Sequence, residues 1–390
     1  MVIDAVYICR EYWAIIILYP FLLYCRNKTI LCGVKITLSH IAEPESIHIM
    51  ASKTFNWEIL SLTRFLLAFV VVIGHLTAFT NVGLFKILHY LGSFEAILGF
   101  LLISGLSIGK SILRNKESYF QRRIKRIYPV YLASIVFTCI VLPQPFTWTY
   151  AGFIVLNLVF LNQALTSTSL VGPAWTLAVE VWMYSLAPVF LKMSMKKLNM
   201  LIYISFISYC IYTCGRTLFK WDYYAGTSYG INLLLLSFIW IAGFTMAIFP
   251  DKKKSTSMHI AAIFVLHIAL KIAIQVLFRY KHHELGLIVS NDLPGFIGII
   301  VCLAWVYYVV IYNHKVPVFS SPVNRVLNLL GNISYPLYLV HLTLFKQLDK
   351  WNISNVFLMI GSALLFSWLV YYVFDFYSKK REAKFTASSS

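Results

Sequence analysis

Charge is what this sequence has least of. Asp, Glu, Lys and Arg make up 12% of its 390 residues, against about 25% in an ordinary soluble domain. Acidic side chains are the scarcer sign, 15 against 33 Lys and Arg. A chain this poor in charge is not a soluble globular enzyme, and at 59% hydrophobic it is not a disordered one either. Cysteine is also sparse. The 7 thiols are odd in number and scattered, mostly within apolar runs, so neither a disulfide framework nor a metal site is implied. Cys210 and Cys214 would share a helix face but have no His or acidic neighbours, and read as packed or lipid-facing. The net charge of +18 sits between apolar runs rather than on a folded surface, so it does not point to nucleic acid.

What the sequence has is apolar length. Runs near the roughly 20 residues that cross a bilayer recur along the chain, at 60–79, 92–108, 127–142, 175–190, 200–214, 231–249, 259–278, 293–312, 333–348 and 356–376. The expected fold is all-α, a polytopic integral membrane protein with ten transmembrane helices. Residues 1–55 form an uncertain N-terminal extension, holding either an extra span near 12–25 or sequence upstream of a start at Met50. Residues 56–378 form the membrane domain and 379–390 a polar cytoplasmic tail.

Short loops rich in Lys and Arg stay in the cytoplasm. With ten spans, Lys110 to Arg126, Lys192 to Lys197, Lys252 to Lys254, Lys315 with Arg325, and Lys379 to Lys384 fall on one side. The other side keeps only Lys86, Arg216, Lys220, Arg279, Lys281, Lys346 and Lys350. The run 150–165, broken by Asn157, Asn162 and Gln163, would invert every later loop if it crossed, so it reads as an external interfacial or re-entrant segment.

Ionisable groups at membrane depth are costly and mark function by default. Here they are Arg64, His75, Glu95, Glu180, His267, Lys271 and His341. Arg64 and His75 lie roughly 16 Å apart at 1.5 Å per residue and cannot touch. His75 and Glu180 fall at similar depths on opposite-running spans, an arrangement in which a carboxylate orients an imidazole as general base; a structural buried pair is the plainer alternative. Arg122, Arg123, Lys125 and Arg126 cluster at the cytoplasmic mouth of the third span, suited to phosphate or serving only as a topology anchor. His267 and Lys271 share a helix face. His341 follows Pro336, where a kink could turn Tyr335, Tyr338 or His341 into a cavity. Glu95, near a span end, reads as interfacial.

Five segments in order resemble the membrane-bound acyltransferase-3 family, which includes bacterial polysaccharide O-acetyltransferases: RFLLAFVVVIGH at 64–75, GFLLISG at 99–105, FQRRIKRIYPVY at 120–131, AWTLAVEVWMYSLAP at 174–188 and ISYPLYLVH at 333–341. Gly99 and Leu101 depart from the family's consecutive phenylalanines, and Leu98 from its common acidic residue. The resemblance implies that an acyl-CoA, usually acetyl-CoA, donates from the cytoplasm and is the only cofactor-like partner, with no permanently bound group. A hydroxyl on a lipid-linked or exported glycan would accept, at a bacterial-type cytoplasmic membrane. It implies His75 and Glu180 as catalytic, and Arg64, Arg122, Arg123 and Arg126 as holding the CoA phosphates. Ser104, Trp175, Lys271, Tyr335 and His341 are further substrate-binding candidates. Whether His75 acts as base or first takes the acyl group stays open, and a glycan carrier without acyl-transfer chemistry is the competing class.

Overall fold

Each of the ten apolar runs forms helix, with ends set by local chemistry. The computed structural model describes residues 55–315 and 319–376; the extension before residue 55, with its run at 12–25, and the tail 379–390 lie outside the described residues. From Asn56 onward they belong to one unit, built from α1 (Trp57–Leu76), a short α2 (Lys86–Tyr90), α3 (Ser93–Arg114), α4 (Tyr119–Val141), α5 (Trp148–Leu158) and α6 (Trp175–Phe190), then α7 (Met195–Phe219), α8 (Ile231–Ile248), α9 (Lys253–Lys281), α10 (Leu293–Ile311), α11 (Ser321–Lys350) and α12 (Val356–Tyr371). No strand occurs among the described residues; a lone bridge joins Asn162 and Thr166.

Eight of these helices are long and apolar enough to cross a membrane, so the chain is a polytopic membrane protein. The two other helices that coincide with expected spans are α6, which has 16 residues, and α11, whose 30 residues begin with a polar stretch. α5 has only 11 residues, about 16 Å at 1.5 Å per residue, half of a hydrocarbon core of about 30 Å. The irregular stretch after it is held by side chains: Asn157 Nδ2 donates to the carbonyls of Phe153 and Thr168, at 2.8 and 3.2 Å, and Asn232 bonds both Thr227 and Gln163.

Asn56 Oδ1 caps α1 by accepting from Ile59 N at 3.0 Å, a preferred N-cap arrangement, and exchanges two further hydrogen bonds with Asn313 just beyond α10. Two contacts make α1 and α11 parallel neighbours: Ser61 lies against Gly331, and His75 meets His341 at the far end. The α3–α8 contact is closer still. A Cβ on Gly105 would sit 2.0 Å from the Trp240 carbonyl oxygen, and one on Gly243 would sit 2.2 Å from that of Leu102. Gly109 meets Ala247 one turn further on, the small-residue spacing by which membrane helices bring their backbones together.

Candidate active site

Five helices line a common cavity of about 140 Å³. α3 presents Ile97, Phe100, Leu101, Ser104, Ser107 and Ile108; α4 presents Arg123, Arg126, Ile127 and Val130; α6 presents Thr176, Leu177, Glu180 and Tyr184. These spacings of three and four are one helical stripe each. α1 adds Arg64, and α11 adds Gly331, Asn332, Ser334, Tyr335, Pro336 and Tyr338. Pro336 has no N–H to return to the Asn332 carbonyl, so the helix is short of one hydrogen bond where it borders the cavity.

The polar lining is ordered. Arg64 Nη2 donates to Ser107 Oγ at 2.5 Å and Arg123 Nη2 to Ser111 Oγ at 2.9 Å. Tyr184 Oη donates to Glu180 Oε2 at 2.5 Å and shares a 2.9 Å hydrogen bond with Ser104, whose Oγ also lies 3.3 Å from Trp240 Nε1. Tyr335 donates to the Ile127 carbonyl at 3.0 Å. Three guanidinium groups thus line the same cavity as one carboxylate, and Arg123 Nε is buried without an acceptor among the described residues. A space this positive favours an anion.

His75 is elsewhere. Its Nδ1 lies 2.8 Å from His341 Nε2, with the rings near-parallel and their centroids 5.1 Å apart. His341 Nδ1 lies 2.8 Å from the Leu337 carbonyl. The expected pairing of Glu180 with His75 is therefore corrected: Glu180 serves the arginine cavity, and a second histidine meets His75. Equal depth along two spans does not put two side chains on facing sides of the helices. Tyr338 stands between the two centres, lining the cavity, bonded to Thr176 at 2.7 Å, with its ring 6.4 Å from that of His341.

The family model of the acyltransferase domain matches residues 57–372. The chain belongs to the acyltransferase-3 family. No curated protein and no solved structure matches it. An acyltransferase-3 chain is a membrane acyltransferase, and this one is multi-pass. Of the residues singled out in the sequence of this acyltransferase, Arg64, Arg123, Arg126, Ser104, Glu180 and Tyr335 converge on the cavity, and His75 and His341 form the pair beyond it.

Three others lie apart. Arg122 is spent on the α3–α4 turn, bonding Ser118 and the carbonyls of Ser111 and Asn115. Trp175 is buried edge-on to Tyr223, with centroids 6.1 Å apart. Lys271 donates to Glu95 Oε1 at 2.6 Å, which His267 Nε2 also approaches at 3.1 Å. Glu95 is fully buried, not interfacial as its position suggested; the cation and imidazole facing it across the helix contact account for that. Sequence reasoning passed over Tyr184 and Thr176. Tyr184 was findable, since it stands four residues after Glu180 and so on the same helix face.

Proposed function

We propose that this acyltransferase moves an acyl group, acetyl first among candidates, from cytoplasmic acyl-CoA to a hydroxyl of a cell-surface or lipid-linked glycan at the cytoplasmic membrane. The observation that carries this reading is the cavity of three arginines on the same helix bundle as the His75–His341 pair, with Arg64 and His75 about 16 Å apart along α1 at 1.5 Å per residue. The CoA phosphates meet Arg123 and Arg126 at the mouth. At about 140 Å³ the cavity is well above the roughly 10–15 Å³ that a single water needs, space for a slender acyl-pantetheine arm and not for the nucleotide. Glu180 offsets part of the arginine charge and, through Tyr184, fixes the cavity wall.

His75 is the general base in this reading. The acceptor hydroxyl gives its proton to the ring as its oxygen attacks the thioester carbonyl; the C–O bond forms and the C–S bond breaks. The thiolate then takes the proton back from the ring as CoA leaves. Such a base contributes about 10²- to 10⁴-fold in rate.

The test is O-acetyl content of the host's surface glycan, by NMR before and after mild base. The strains carry no copy, the wild type, or His75→Ala at equal membrane levels. Base-labile acetyl is expected with the wild type alone. Three identical glycans would overturn the glycan reading, and acetyl in the His75→Ala strain would overturn the role of His75.

A further inference from the structure

The hydrogen-bond chain from Leu337 of α11 through His341 to His75 assigns the ring protons of the histidine pair. A carbonyl oxygen only accepts, so His341 Nδ1, 2.8 Å from Leu337 O, carries a hydrogen. His341 is fully buried, with the Phe345 ring 5.7 Å away. A cation is costly in that apolar setting, so the ring is neutral and its Nε2 holds a lone pair. His75 Nδ1, 2.8 Å from that lone pair, must be the donor. A neutral His75 protonated at Nδ1 carries its own lone pair at Nε2. His75 is only half-buried, and no hydrogen-bond partner engages that nitrogen among the described residues.

We propose that His341 is a positioning residue for the transfer reaction: it holds His75 in the Nδ1–H form, so that Nε2 is the nitrogen that takes the acceptor's proton. In many hydrolases a carboxylate sets the tautomer of the catalytic imidazole; here the backbone carbonyl of Leu337 sets it, relayed through a second imidazole. The arrangement places no negative charge beside His75, so a neutral base operates without an ion pair in the bilayer. When Nε2 takes the proton, Nδ1–H still donates to His341, and the ring does not need to turn between the two halves of the reaction.

This inference rests on the acyl-CoA reading, and its test separates the two. Membrane vesicles with the cytoplasmic face outward and endogenous acceptor receive radiolabelled acetyl-CoA, and base-labile incorporation is followed for the wild type, His75→Ala, His341→Gln and His341→Asn at matched protein levels. A Gln side chain brings its amide oxygen to the place of Nε2 and can accept from His75; an Asn amide reaches only as far as Nδ1 and can bond Leu337 alone. His341→Gln is expected to keep Vmax within about tenfold of wild type and His341→Asn to lose about 100-fold, in the range of a misplaced base, with KM for acetyl-CoA unchanged in both. Equal loss in the two variants would overturn the proposal, assigning His341 a proton-transfer or purely structural part. Equal retention would overturn it too, since the tautomer would then not matter. A low melting temperature shared by both variants, with losses that follow it, would show a structural role and likewise overturn it. If the wild type itself incorporates no base-labile label, the acyl-CoA reading fails first.

Discussion

Successive residues on a helix point about 100° apart, so Arg122 and Arg123, adjacent in sequence at the start of α4, face different surroundings. Arg123 lines the cavity, whereas Arg122 satisfies two carbonyls of the α3–α4 turn. Their alanine variants should therefore fail in different ways. A hydrogen bond to a charged group is worth about 1.5–3 kcal/mol, which is roughly 10- to 100-fold in affinity; Arg123→Ala is expected to raise KM for acetyl-CoA by that factor, and high salt to compress the difference. Arg122→Ala is expected to leave KM near wild type and to lower the melting temperature modestly, because the α3–α4 turn loses the charged donor that ties the Ser111 and Asn115 carbonyls together. Steady-state kinetics and a melting curve on each variant decide it; a raised KM in Arg122→Ala would return that residue to the donor site. The basic cluster was legible in the sequence as a cluster. Which of its members reach the cavity was not, because that depends on how α4 is rotated against α3 and α6, and the rotation is set by packing rather than by charge.

Helix contacts were the less legible level. The ten apolar runs announce helices, and the Trp175–Phe190 run gives its ends correctly because Pro173 and Lys192 stand close on either side of it. Partner choice is another matter, as Glu95 illustrates: His267 and Lys271 were visible as one face of α9, but only the fold reveals that this face meets the first turn of α3. The α3–α8 contact is decided by glycine. Gly105 and Gly243 each admit the other helix's backbone to within 2.0–2.2 Å of where a Cβ would stand, so a methyl group there pushes against a main chain that cannot swing away. Overpacking of this kind costs about 1–3 kcal/mol, and Gly105→Ala is expected to lower the melting temperature and, because α3 carries Ser104 and Ser107, to reduce activity with it. Gly361 in α12 is the matched control, since a Cβ there meets open space. Gly361→Ala should be neutral or gain about 0.5–1 kcal/mol from helix propensity. Thermal melting of the two variants side by side tests the contact, and equal behaviour would mean that α3 and α8 do not approach so closely.

At the scale of the whole molecule, the sidedness of the loops determines whether the arginine cavity faces the cytoplasm, where acyl-CoA is made. The sequence argument rests on one choice, that the segment after α4 turns back rather than crossing. It was legible because polar residues interrupt the run, and the fold gives the reason: Asn157, Asn162 and Gln163 are buried in side-chain hydrogen bonds that hold an irregular stretch together, leaving α5 with 11 residues. A helix of that length does not reach across a hydrocarbon core of about 30 Å. If α5 does not cross, Phe146 before it and Thr168 after it, both exposed, lie on the same face of the membrane, and Lys197 lies on the opposite one. Single cysteines at these three positions, in a background with the native cysteines replaced by serine, can be probed with a membrane-impermeant maleimide on intact cells and after lysis. Phe146→Cys and Thr168→Cys are expected to label on intact cells, and Lys197→Cys only after lysis. Labelling of Phe146→Cys without Thr168→Cys would mean that α5 crosses; every Lys-rich loop from α6 onward would then face outward, against the bias that orients membrane helices. The α6 face of the cavity, Glu180 and Tyr184 included, would run in the reverse direction relative to Arg123 and Arg126. Because those residues converge on one cavity only when α4 and α6 run as they do here, the labelling result tests the donor site as well as the topology.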